Sequence, residues 1–432
     1  MPTTPTKKRP SRPTRRTAPH LVEPELKQVT KATFTEYMAA VARGFQEPVR
    51  EGTEDLDRRV FHHDRTFGFK VGRRWVATCA DLARRLTVPG GAAVPTAAVT
   101  VVTVHQPYRR RGLLTRMMTH QLEQVAERGE PLAALWASES LIYGRFGYGP
   151  ATSRLTLSGT NRRLSFLPAV RPTGSVDEVT REEFLAMAPG LHEAMRPERP
   201  GTMVRDPDTW EFATFDLEWA RGGASELHYV VHYDDSGDAD GFATYRFKED
   251  FKEEPEGEVR IREVWAEDAG AHAGLWRYLL DLDLARSFRW WSAPLDEPLR
   301  HLVTDARAVR SEITDNLYVR VVDVAAALEA RSYAAGVDLV IEVDDPILPA
   351  NSGRWRIATD GDPRGATAEV TRVTSDPDLS MGILELGTVY LGGVRLSDLH
   401  RVGRVTEHTP GAVAAATTAF GWHRAPYCPD MF

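Results

Sequence analysis

The order of hydrophobic and polar positions over the first 150 residues predicts an α/β unit. Phe34, Met38 and Val41 recur at steps of three and four residues, which is typical of an amphipathic helix. The β-branched run TAAVTVVTV is typical of a strand that is buried on both faces. In chain order, the predicted elements are a helix over 31–45, short strands within 58–88, a strand over 96–104, a helix over 113–128 and a strand over 131–138.

Two further regions of mixed strands and helices are predicted after this unit. The second has strands over 227–234, 241–248 and 258–266, followed by a helix over 269–285. The third begins near Asn316 with a strand over 317–324, and continues with a helix over 325–333, strands over 338–345, 355–360 and 367–373, a helix over 376–393 and a helical stretch near 410–420. The chain is therefore predicted to be α/β (α+β), with a tail over 1–26 and domains over 27–166, 167–312 and 313–432.

The composition is that of a folded chain with several domains. The chain has 432 residues, enough for about two to four domains of ordinary size, and 42% of them are hydrophobic. No run approaches the roughly 18 apolar residues of a membrane-spanning helix, and no apolar stretch follows the basic N-terminus. Cys79 and Cys428 are too few for a disulfide framework. We therefore expect a reduced, cytoplasmic protein that does not enter a membrane.

The charge is distributed unevenly along the chain. The first 20 residues contain six basic residues and no acidic one, so the remainder carries a formal charge of −13 against −7 for the whole. This head has the composition either of a nucleic-acid-binding arm or of a disordered tail, and its Pro, Thr and Ser content favours the tail. An acidic body disfavours nucleic acid as a partner and favours cationic substrates.

The segment VVTVHQPYRRRGLLTRMM, residues 101–118, carries the clearest chemical signal. A buried strand is predicted to run into a loop in which Arg109, Arg110, Arg111 and Gly112 precede a helix. Such a helix start binds phosphate through free N–H groups, while glycine permits close approach and arginine adds charge. A solvated basic turn would have the same residues. The flanking strands and the apolar stripe of the helix predicted over 113–128 favour the anion site. Because G-x-G-x-x-G and GK[ST] are both absent, coenzyme A is the predicted ligand.

Together with ALWASES and IYGRFGYGPAT, this segment resembles the acetyl-CoA motif of the GCN5-related N-acetyltransferases, and in particular the Eis (enhanced intracellular survival) family. The resemblance covers about residues 27–432. It includes GLWRYLLDLDLAR in the central region, DPDLSMGILELGTVYLGG further on, and the aromatic last residue. It implies two tandem GCN5-related N-acetyltransferase folds followed by a sterol-carrier-protein-like α+β domain.

The resemblance also implies where acetyl-CoA would bind as the cosubstrate. In the family, strand amides contact the pantetheine and acetyl portions, the loop binds the pyrophosphate, and the end of the next strand adds further contacts. The matching positions are Val102, Thr103 and Val104 in the strand, Arg110, Arg111, Gly112, Leu113, Leu114 and Thr115 in the loop, and Ser138 and Glu139 after the next strand. From the sequence alone, Ser138 is equally compatible with a helix cap.

Two catalytic roles follow from the same resemblance. Tyr143 matches the family's proton donor, since a phenol with a pKa of ~10 can protonate a thiolate leaving group. The nearby Tyr148 is interpreted as a packing residue. The terminal carboxylate of Phe432 matches the proton acceptor, although an α-carboxyl with a pKa of ~3.5 needs burial, a water relay or an amine-holding role to serve. The aromatic segment WHRAPYCPDMF predicts that this terminus is docked rather than frayed.

The other two domains are assigned no cofactor. The turn before the helix of the second domain, AEDAGAHAG, is acidic where a phosphate would need positive charge, which indicates a degenerate acetyltransferase fold. The third domain would deliver the chain terminus to the first. The histidines, including the adjacent His62 and His63, have no metal-binding spacing, so no metal is expected.

These inferences predict an acyltransferase, specifically an acetyl-CoA:amine N-acetyltransferase that works by direct attack of the amine on the thioester. The resemblance implies aminoglycoside-type polyamines as substrates, acetylated at several positions, with antibiotic resistance as the consequence and a homohexamer as the assembly. Two alternatives stay open. One is a protein or peptide lysine N-acetyltransferase, and the other is a non-enzymatic lipid-binding or regulatory protein built around the third domain.

Overall fold

The computed structural model describes residues 22–362 and 365–432. The basic head over 1–20, and with it most of the tail predicted over 1–26, lies outside these residues, and the first strand begins at Glu25. The chain divides into two compact units. The first comprises residues 22–50, His63–Ala80 and Val101–Met117, and the second comprises Glu51–His62, Asp81–Thr100 and Met118–Phe432.

The elements up to residue 160 follow the predicted order closely. They are β1 (Glu25–Gln28), α1 (Phe34–Phe45), α2 (Glu54–Val60), β2 (Thr66–Val71), β3 (Arg74–Thr87), β4 (Ala93–Val104), α3 (Leu113–Glu127), β5 (Leu132–Trp136), α4 (Ser140–Tyr143), β6 (Gly149–Pro150) and β7 (Ser153–Thr160). The helices predicted over 31–45 and 113–128 and the strands predicted over 96–104 and 131–138 are confirmed. The prediction of strands from residue 58 is wrong at its start, because α2 occupies Glu54–Val60. Acidic residues in its first turn and arginines in its last turn stabilise this short helix through the helix dipole.

In the first unit, α1 packs on an antiparallel sheet of β1, β2 and the first half of β3. Tyr37, on the buried face of α1, donates a hydrogen bond from its hydroxyl to the carbonyl of Cys79 in β3 at 2.9 Å. Its ring meets Trp75 edge-on, with 5.2 Å between the centroids. Tyr37 and Trp75 are both almost completely buried. These contacts fix α1 against the strand that carries Cys79.

The elements of the next region include several that the hydrophobic pattern did not predict. They are β8 (Ser175–Val179), α5 (Arg181–Met195), α6 (Pro207–Ala213), β9 (His228–Tyr233), β10 (Ala239–Lys248), β11 (Gly257–Ala266), α7 (Ala269–Asp281), β12 (Ala285–Pro294), α8 (Leu299–Leu302) and β13 (Val309–Asp315). The three predicted strands are confirmed. The helix predicted over 269–285 ends at Asp281, and β12 follows Leu284, whose φ is 64°. A capping box of Thr180 and Glu183 marks the start of α5 and is a sequence signal that could have revealed it.

The last elements mostly match their predictions. They are β14 (Leu317–Val321), α9 (Val324–Ala330), β15 (Asp338–Asp344), β16 (Gly353–Thr359), β17 (Ala368–Val373), β18 (Leu379–Gly382), α10 (Ile383–Val389), α11 (Leu396–Arg401), β19 (Val405–Glu407) and α12 (Ala412–Phe420). The helix predicted over 376–393 is wrong at its start, because β18 occupies its first part. Leu379 and Met381 alternate into the core, which is the period of a strand, and β18 pairs parallel with β15.

In the second unit, strands cross the predicted domain boundaries. Residues Thr96–Val99 of β4 pair parallel with β5, and β14, assigned by its sequence to the third domain, pairs antiparallel with both β5 and β6. A seven-stranded sheet has the order β13-β7-β12-β11-β10-β9-β8, so β7 lies beside strands of the second domain. A five-stranded sheet has the order β17-β16-β15-β18-β19. Within the described ranges, no helix has both the length and the apolarity that crossing a membrane requires.

Candidate active site

The last residues of β4 leave regular strand geometry just before the arginine loop. Val101 has a φ of 48°, which is rare for a β-branched residue. Its carbonyl accepts a hydrogen bond from Thr78 Oγ1 at 2.7 Å, and the same hydroxyl lies 2.7 Å from Thr103 Oγ1. Backbone strain of this kind persists only where surrounding contacts hold it, and it clusters at functional sites. The bend therefore marks Val102, Thr103 and Val104 as a specialised end of the strand.

Helix α1 lies directly against this bend. A Cβ atom at Gly44 would lie 2.5 Å from the side chain of Thr103, so glycine is required for the close approach. His105 Nε2, at the start of the loop, lies 3.1 Å from the carbonyl oxygen of Ala40. Both contacts lie within the first unit, and they fix the beginning of the loop relative to α1.

The loop between β4 and α3 is shaped by its own arginines. The Nε of Arg109 donates to the carbonyl of Val104 at 3.0 Å, so this side chain folds back on the end of the strand. Arg110 and Gly112 both have left-handed backbone conformations, with φ of 60° and 76°. The side chains of Arg110 and Arg111 are exposed. Arg109 therefore supports the loop, while Arg110 and Arg111 are available to a ligand.

The start of α3 has the backbone geometry that an anion-binding site requires. The first helical hydrogen bond runs from the amide of Arg116 to the carbonyl of Gly112 at 3.0 Å, which leaves the amides of Leu113, Leu114 and Thr115 without partners inside the helix. A Cβ atom at Gly112 would meet nothing within 4 Å, so the space beside this glycine is empty of protein. Amides without partners inside the helix, open space beside Gly112 and exposed arginines together fit a diphosphate group.

The corresponding helix of the second domain, α7, starts differently. The residues before it are Glu267 and Asp268, and the Asp268 carboxylate accepts a hydrogen bond from the amide of Ala271 at 2.8 Å. This carboxylate already satisfies an amide at the helix start and would repel a phosphate. The start of α7 is therefore closed to the kind of ligand that the start of α3 can hold.

The residues after β5 are accessible. Ser138 and Glu139 are both exposed, and they connect β5 to the short helix α4. The residue at the cap position of α4 is Glu139, and its side chain makes no capping hydrogen bond. Ser138 is therefore not the cap of this helix, which removes the structural alternative for that residue.

Tyr143 and Tyr148, the two tyrosines of this segment, have different surroundings. The hydroxyl of Tyr148 donates to Gln121 at 3.2 Å, and Gln121 in turn donates to Asp81 at 3.4 Å. Tyr148, Gln121 and Asp81 are all fully or almost fully buried. Tyr143, the last residue of α4, is 6% exposed and meets the ring of Tyr148 edge-on, with 6.2 Å between the centroids. Tyr148 thus has the packing role that the sequence suggested, and its ring supports Tyr143.

A buried arginine from β14 holds the loop between these tyrosines. Arg320 is fully buried, and its Nε donates to the carbonyl of Phe146 at 2.8 Å. Its Nη2 lies 2.7 Å from both carboxylate oxygens of Asp345. A Cβ atom at Gly147 would lie 2.6 Å from the Nε of Arg320, so the loop and the arginine are in close contact. The strand inserted from the later sequence therefore positions the segment that carries Tyr143.

The C-terminal residues are docked on the end of β5. The indole of Trp136 donates to the carbonyl of Asp430 at 2.9 Å, and the side-chain amide of Asn316 donates to the carbonyl of Cys428 at 3.0 Å. Phe432 is partly buried and packs, with Trp136, against the hydrophobic core of this unit. The prediction of a docked terminus is confirmed. Two backbone carbonyls held by side chains of β5 and of the residue before β14 explain why it does not fray.

The structure thus groups the predicted residues in two sets. In the first unit, residues 102–104 and 110–115 form a bent strand and an open helix start. In the second unit, Ser138, Glu139 and Tyr143 follow β5, and Phe432 ends the tail that binds Trp136. The sequence pattern did not identify Arg109, Trp136 or Arg320 as supporting residues. Trp136 meets a partner 294 positions further along the chain, a separation that carries no local signal.

Three segments of the chain match known domain families. Residues 25–151 and 201–321 each match an acetyltransferase (GNAT) domain, where GNAT denotes GCN5-related N-acetyltransferase. Residues 324–429 match a sterol carrier protein domain. These matches confirm the predicted fold class of two tandem acetyltransferase folds followed by a sterol-carrier-like domain.

Curated proteins and solved structures extend the similarity over most of the chain. An uncharacterized N-acetyltransferase of Streptomyces avermitilis is 43% identical over 391 residues, covering 89% of this chain and 94% of the relative. The N-acetyltransferase Eis of Mycobacterium tuberculosis is 37% identical over 331 residues, covering 74% and 77%. The crystal structure of Eis1 from Mycobacterium abscessus has a TM-score of 0.81 at 32% identity, covering 95% of this chain and 100% of that one. The chain is therefore an N-acetyltransferase that belongs to the Eis family of GCN5-related N-acetyltransferases.

Proposed function

We propose that this enzyme transfers the acetyl group of acetyl-CoA to primary amines of aminoglycoside-type polyamines, at several positions, by direct attack of the amine on the thioester. The observation that carries the proposal is the open start of α3. It combines the amides of Leu113, Leu114 and Thr115, which have no partner inside the helix, with the open space beside Gly112. A protein that only carried lipid would have no use for such a site.

The residues that would hold acetyl-CoA follow from this geometry and from the family resemblance. When bound, acetyl-CoA supplies the thioester whose carbonyl carbon accepts the amine. The amides at the start of α3 donate to the pyrophosphate, and the exposed guanidinium groups of Arg110 and Arg111 add charge-assisted hydrogen bonds. The backbone at the bend of β4 binds the pantetheine arm and the acetyl group. The full proposed set is Val102, Thr103, Val104, Arg110, Arg111, Gly112, Leu113, Leu114, Thr115, Ser138 and Glu139.

Only the first domain is proposed to bind the cosubstrate. In the second domain, the Asp268 carboxylate occupies the start of α7, where a pyrophosphate would have to bind. The third domain supplies the last residues of the chain, whose docking on Trp136 places the terminus beside β5. The sterol-carrier-like fold thus serves to deliver a carboxylate, and no metal is assigned a role.

Replacing Gly112 by alanine is expected to raise the KM for acetyl-CoA by about tenfold or more. The new Cβ occupies the space beside the helix start that the pyrophosphate needs. This weakens the hydrogen bonds from the α3 amides to the pyrophosphate. Gly129 is the matched control, because it has a φ of 71° and a Cβ there would also meet nothing within 4 Å, but it lies just beyond the other end of α3. Both variants carry the same backbone strain of ~1 kcal/mol. Steady-state kinetics and thermal melting should therefore show equal losses of stability and a changed KM for Gly112→Ala alone. An equal KM in the two variants would contradict the site.

Two proton transfers are assigned to side chains and termini of this chain. The attacking ammonium must lose a proton, which the terminal carboxylate of Phe432 accepts. The C–N bond then forms, the C–S bond breaks, and the Tyr143 hydroxyl delivers a proton to the departing sulfur. The nitrogen releases its second proton to solvent once the C–N bond has formed, and the Phe432 carboxyl also gives up its proton to solvent. The tyrosinate regains one proton from solvent, so the reaction releases one proton overall. Burial of Tyr143 against Tyr148 fixes the direction of its phenol, and the docked tail fixes the carboxylate.

The acceptor is proposed from charge and from the family resemblance, and an amine panel tests it. The chain beyond the first 20 residues carries −13, which attracts polycations. We expect kanamycin to be acetylated with the highest kcat/KM among kanamycin, spermidine and a lysine-rich peptide, with more than one acetyl group per molecule by mass spectrometry. Much faster acetylation of the peptide would instead make the enzyme a protein or peptide lysine acetyltransferase. Absence of acetyl-CoA binding in calorimetry would overturn the proposal altogether.

The assembly and the compartment are proposed on the same basis. We expect a homohexamer, which the family resemblance supports and which light scattering of the purified protein can measure. We also propose that the enzyme acts in the cytoplasm, where acetyl-CoA is available. Cys79 and Cys428 are both buried and form no disulfide within the part of the chain that the structure describes, which suits a reducing compartment.

A further inference from the structure

A buried cluster of three charged side chains includes Asp430, which lies close to the end of the chain. The guanidinium of Arg205 donates to Glu263 at 2.9 Å and to the Asp430 carboxylate at 2.8 Å. The three side chains are 3%, 8% and 11% exposed, respectively. Asp430 stands two residues before Phe432, and its carbonyl is the group that Trp136 binds. Asp430 is therefore bound twice: Arg205 binds its side chain, and Trp136 binds its backbone carbonyl.

Arg205 and Glu263 are themselves held in place by tryptophan side chains. The guanidinium of Arg205 lies 4.7 Å from the centroid of the Trp210 ring, and the indole of Trp265 donates to Glu263 at 3.0 Å. Burial raises the pKa of Asp430 and Glu263 adds to the rise, while Arg205 opposes it. Glu263 is itself buried, but the charge and hydrogen bond of Arg205 hold its pKa below the usual value. One arginine thus binds two carboxylates at once.

Stability alone does not account for this arrangement. Removing three charged groups from water carries a desolvation cost that their mutual attraction often fails to repay, so a buried ion cluster is weak support for fold stability. The second carboxylate oxygen of Asp430, Oδ2, is buried and makes no hydrogen bond with any residue that the structure describes. An apolar residue would anchor the tail without that cost. The alternative benefit of such a cluster is a unique position for the backbone that it binds.

We propose that Arg205 and Glu263 are positioning residues for the acetyl-transfer reaction, and that they act through Asp430 to set the place and the electrostatic surroundings of the terminal carboxylate. The inference rests on the proposed role of that carboxylate as the proton acceptor. The hydrogen bond from the Arg205 Nε to the Asp430 Oδ1 fixes the orientation of this side chain, and Phe432 follows two residues later. Arg84 and Arg262 also act on these carboxylates, so Asp430 and Glu263 supply the negative charge that opposes three arginines next to the tail. Each of the two carboxylates raises the pKa of a neighbouring carboxyl and so makes it a better base.

The test uses the full chain with Asp430→Asn, Glu263→Gln and Asp430→Glu. The matched control is Asp216→Asn, because the Asp216 carboxylate is also largely buried and bound by two arginines, Arg221 and Arg246, but serves the amide of Leu227 rather than the tail. For each variant, kcat and KM with kanamycin are measured as a function of pH, the acetyl-CoA Kd by calorimetry, and Tm by thermal melting.

We expect Asp430→Asn and Glu263→Gln to lower kcat by about tenfold, since small misplacements of a reacting group have effects of this order. The acetyl-CoA Kd should stay unchanged. The acidic limb of the kcat profile should move to lower pH, because removing negative charge lowers the pKa of the neighbouring carboxyl. Asp430→Glu should recover part of the lost kcat, and Asp216→Asn should lower Tm without moving the pH profile.

Two results would overturn the inference, and a deletion of Phe432 measured in parallel separates them from failure of the proposed function. If the deletion abolishes turnover while Asp430→Asn and Glu263→Gln keep the kcat and pH profile of the unaltered chain, the cluster does not position the base and the proposed mechanism stands. If all substitutions, the Asp216 control included, lower kcat in proportion to Tm, the role is structural. If the deletion itself retains full turnover, the carboxylate is not the base, and both the mechanism and this inference fail.

Discussion

Deletion of Phe432 is expected to lower kcat with amine acceptors by about 10²- to 10⁴-fold, the range typical of losing a positioned general base. The deletion leaves a new terminal carboxylate on Met431, one residue short of the proposed position. Met431 is 54% exposed, whereas Phe432 packs against the core. The amine would then have to lose its proton to solvent. The acetyl-CoA Kd should change little, because the residues proposed to bind it are elsewhere in the chain.

Two companion proteins separate the carboxylate from the aromatic ring. Phe432→Leu keeps a terminal carboxylate and an apolar side chain, so it should retain most of the turnover. Three extra residues after Phe432 keep the ring but move the charge, so this protein should lose turnover as the deletion does. The same three residues added at the N-terminus serve as the control for a tag of that size. Full activity of the C-terminally extended protein would refute the assignment.

Tyr143→Phe should lower kcat by about 10²-fold or more while leaving the acetyl-CoA Kd unchanged, because the phenol is proposed to act only when the C–S bond breaks. The substitution removes one hydroxyl and keeps the ring that packs edge-on against Tyr148. The measurement is steady-state turnover with kanamycin, combined with calorimetry of acetyl-CoA binding. A pre-steady-state burst should be absent if chemistry is the slow step.

Tyr148→Phe provides the matched control for this substitution. It removes the hydroxyl that donates to Gln121, in a fully buried position of the same segment. That loss should cost ~1 kcal/mol of folding free energy, because Gln121 is left with an unmade hydrogen bond. It should leave kcat unchanged. Equal kcat values for the two phenylalanine variants would remove Tyr143 as the proton donor.

Several features of this protein could be read from local sequence because local physics decides them. The amphipathic period of residues 31–45 and the β-branched run over 96–104 predicted α1 and β4 with small errors at their ends. The arginine–glycine loop before α3 predicts a phosphate site, because phosphate binding at a helix start favours those residue types. The acidic turn before α7 likewise indicated a helix start that would repel phosphate, and the Asp268 cap explains why.

Other features depended on contacts between distant residues. The helix α5 contains Pro189 and Gly190, which disfavour a helix, so the packing of its buried Phe184, Ala188 and Leu191 rather than its propensity stabilises it. The sequence of β18 predicts the start of a helix, since a short apolar run fits both periods until a partner strand is known. That partner is β15, whose Ile341 stands opposite Leu379.

The sequence by itself determined the order of most strands and helices and the docking of an aromatic tail, because each depends on residue types within a short window. Only the tertiary structure decided that β14 enters the sheet beside β5, that Arg320 holds the loop of Tyr143, and that Arg205 and Trp136 both hold Asp430. Pairing between strands and burial of charge are set by which surfaces meet after the chain folds. No local pattern encodes a partner nearly 300 residues away.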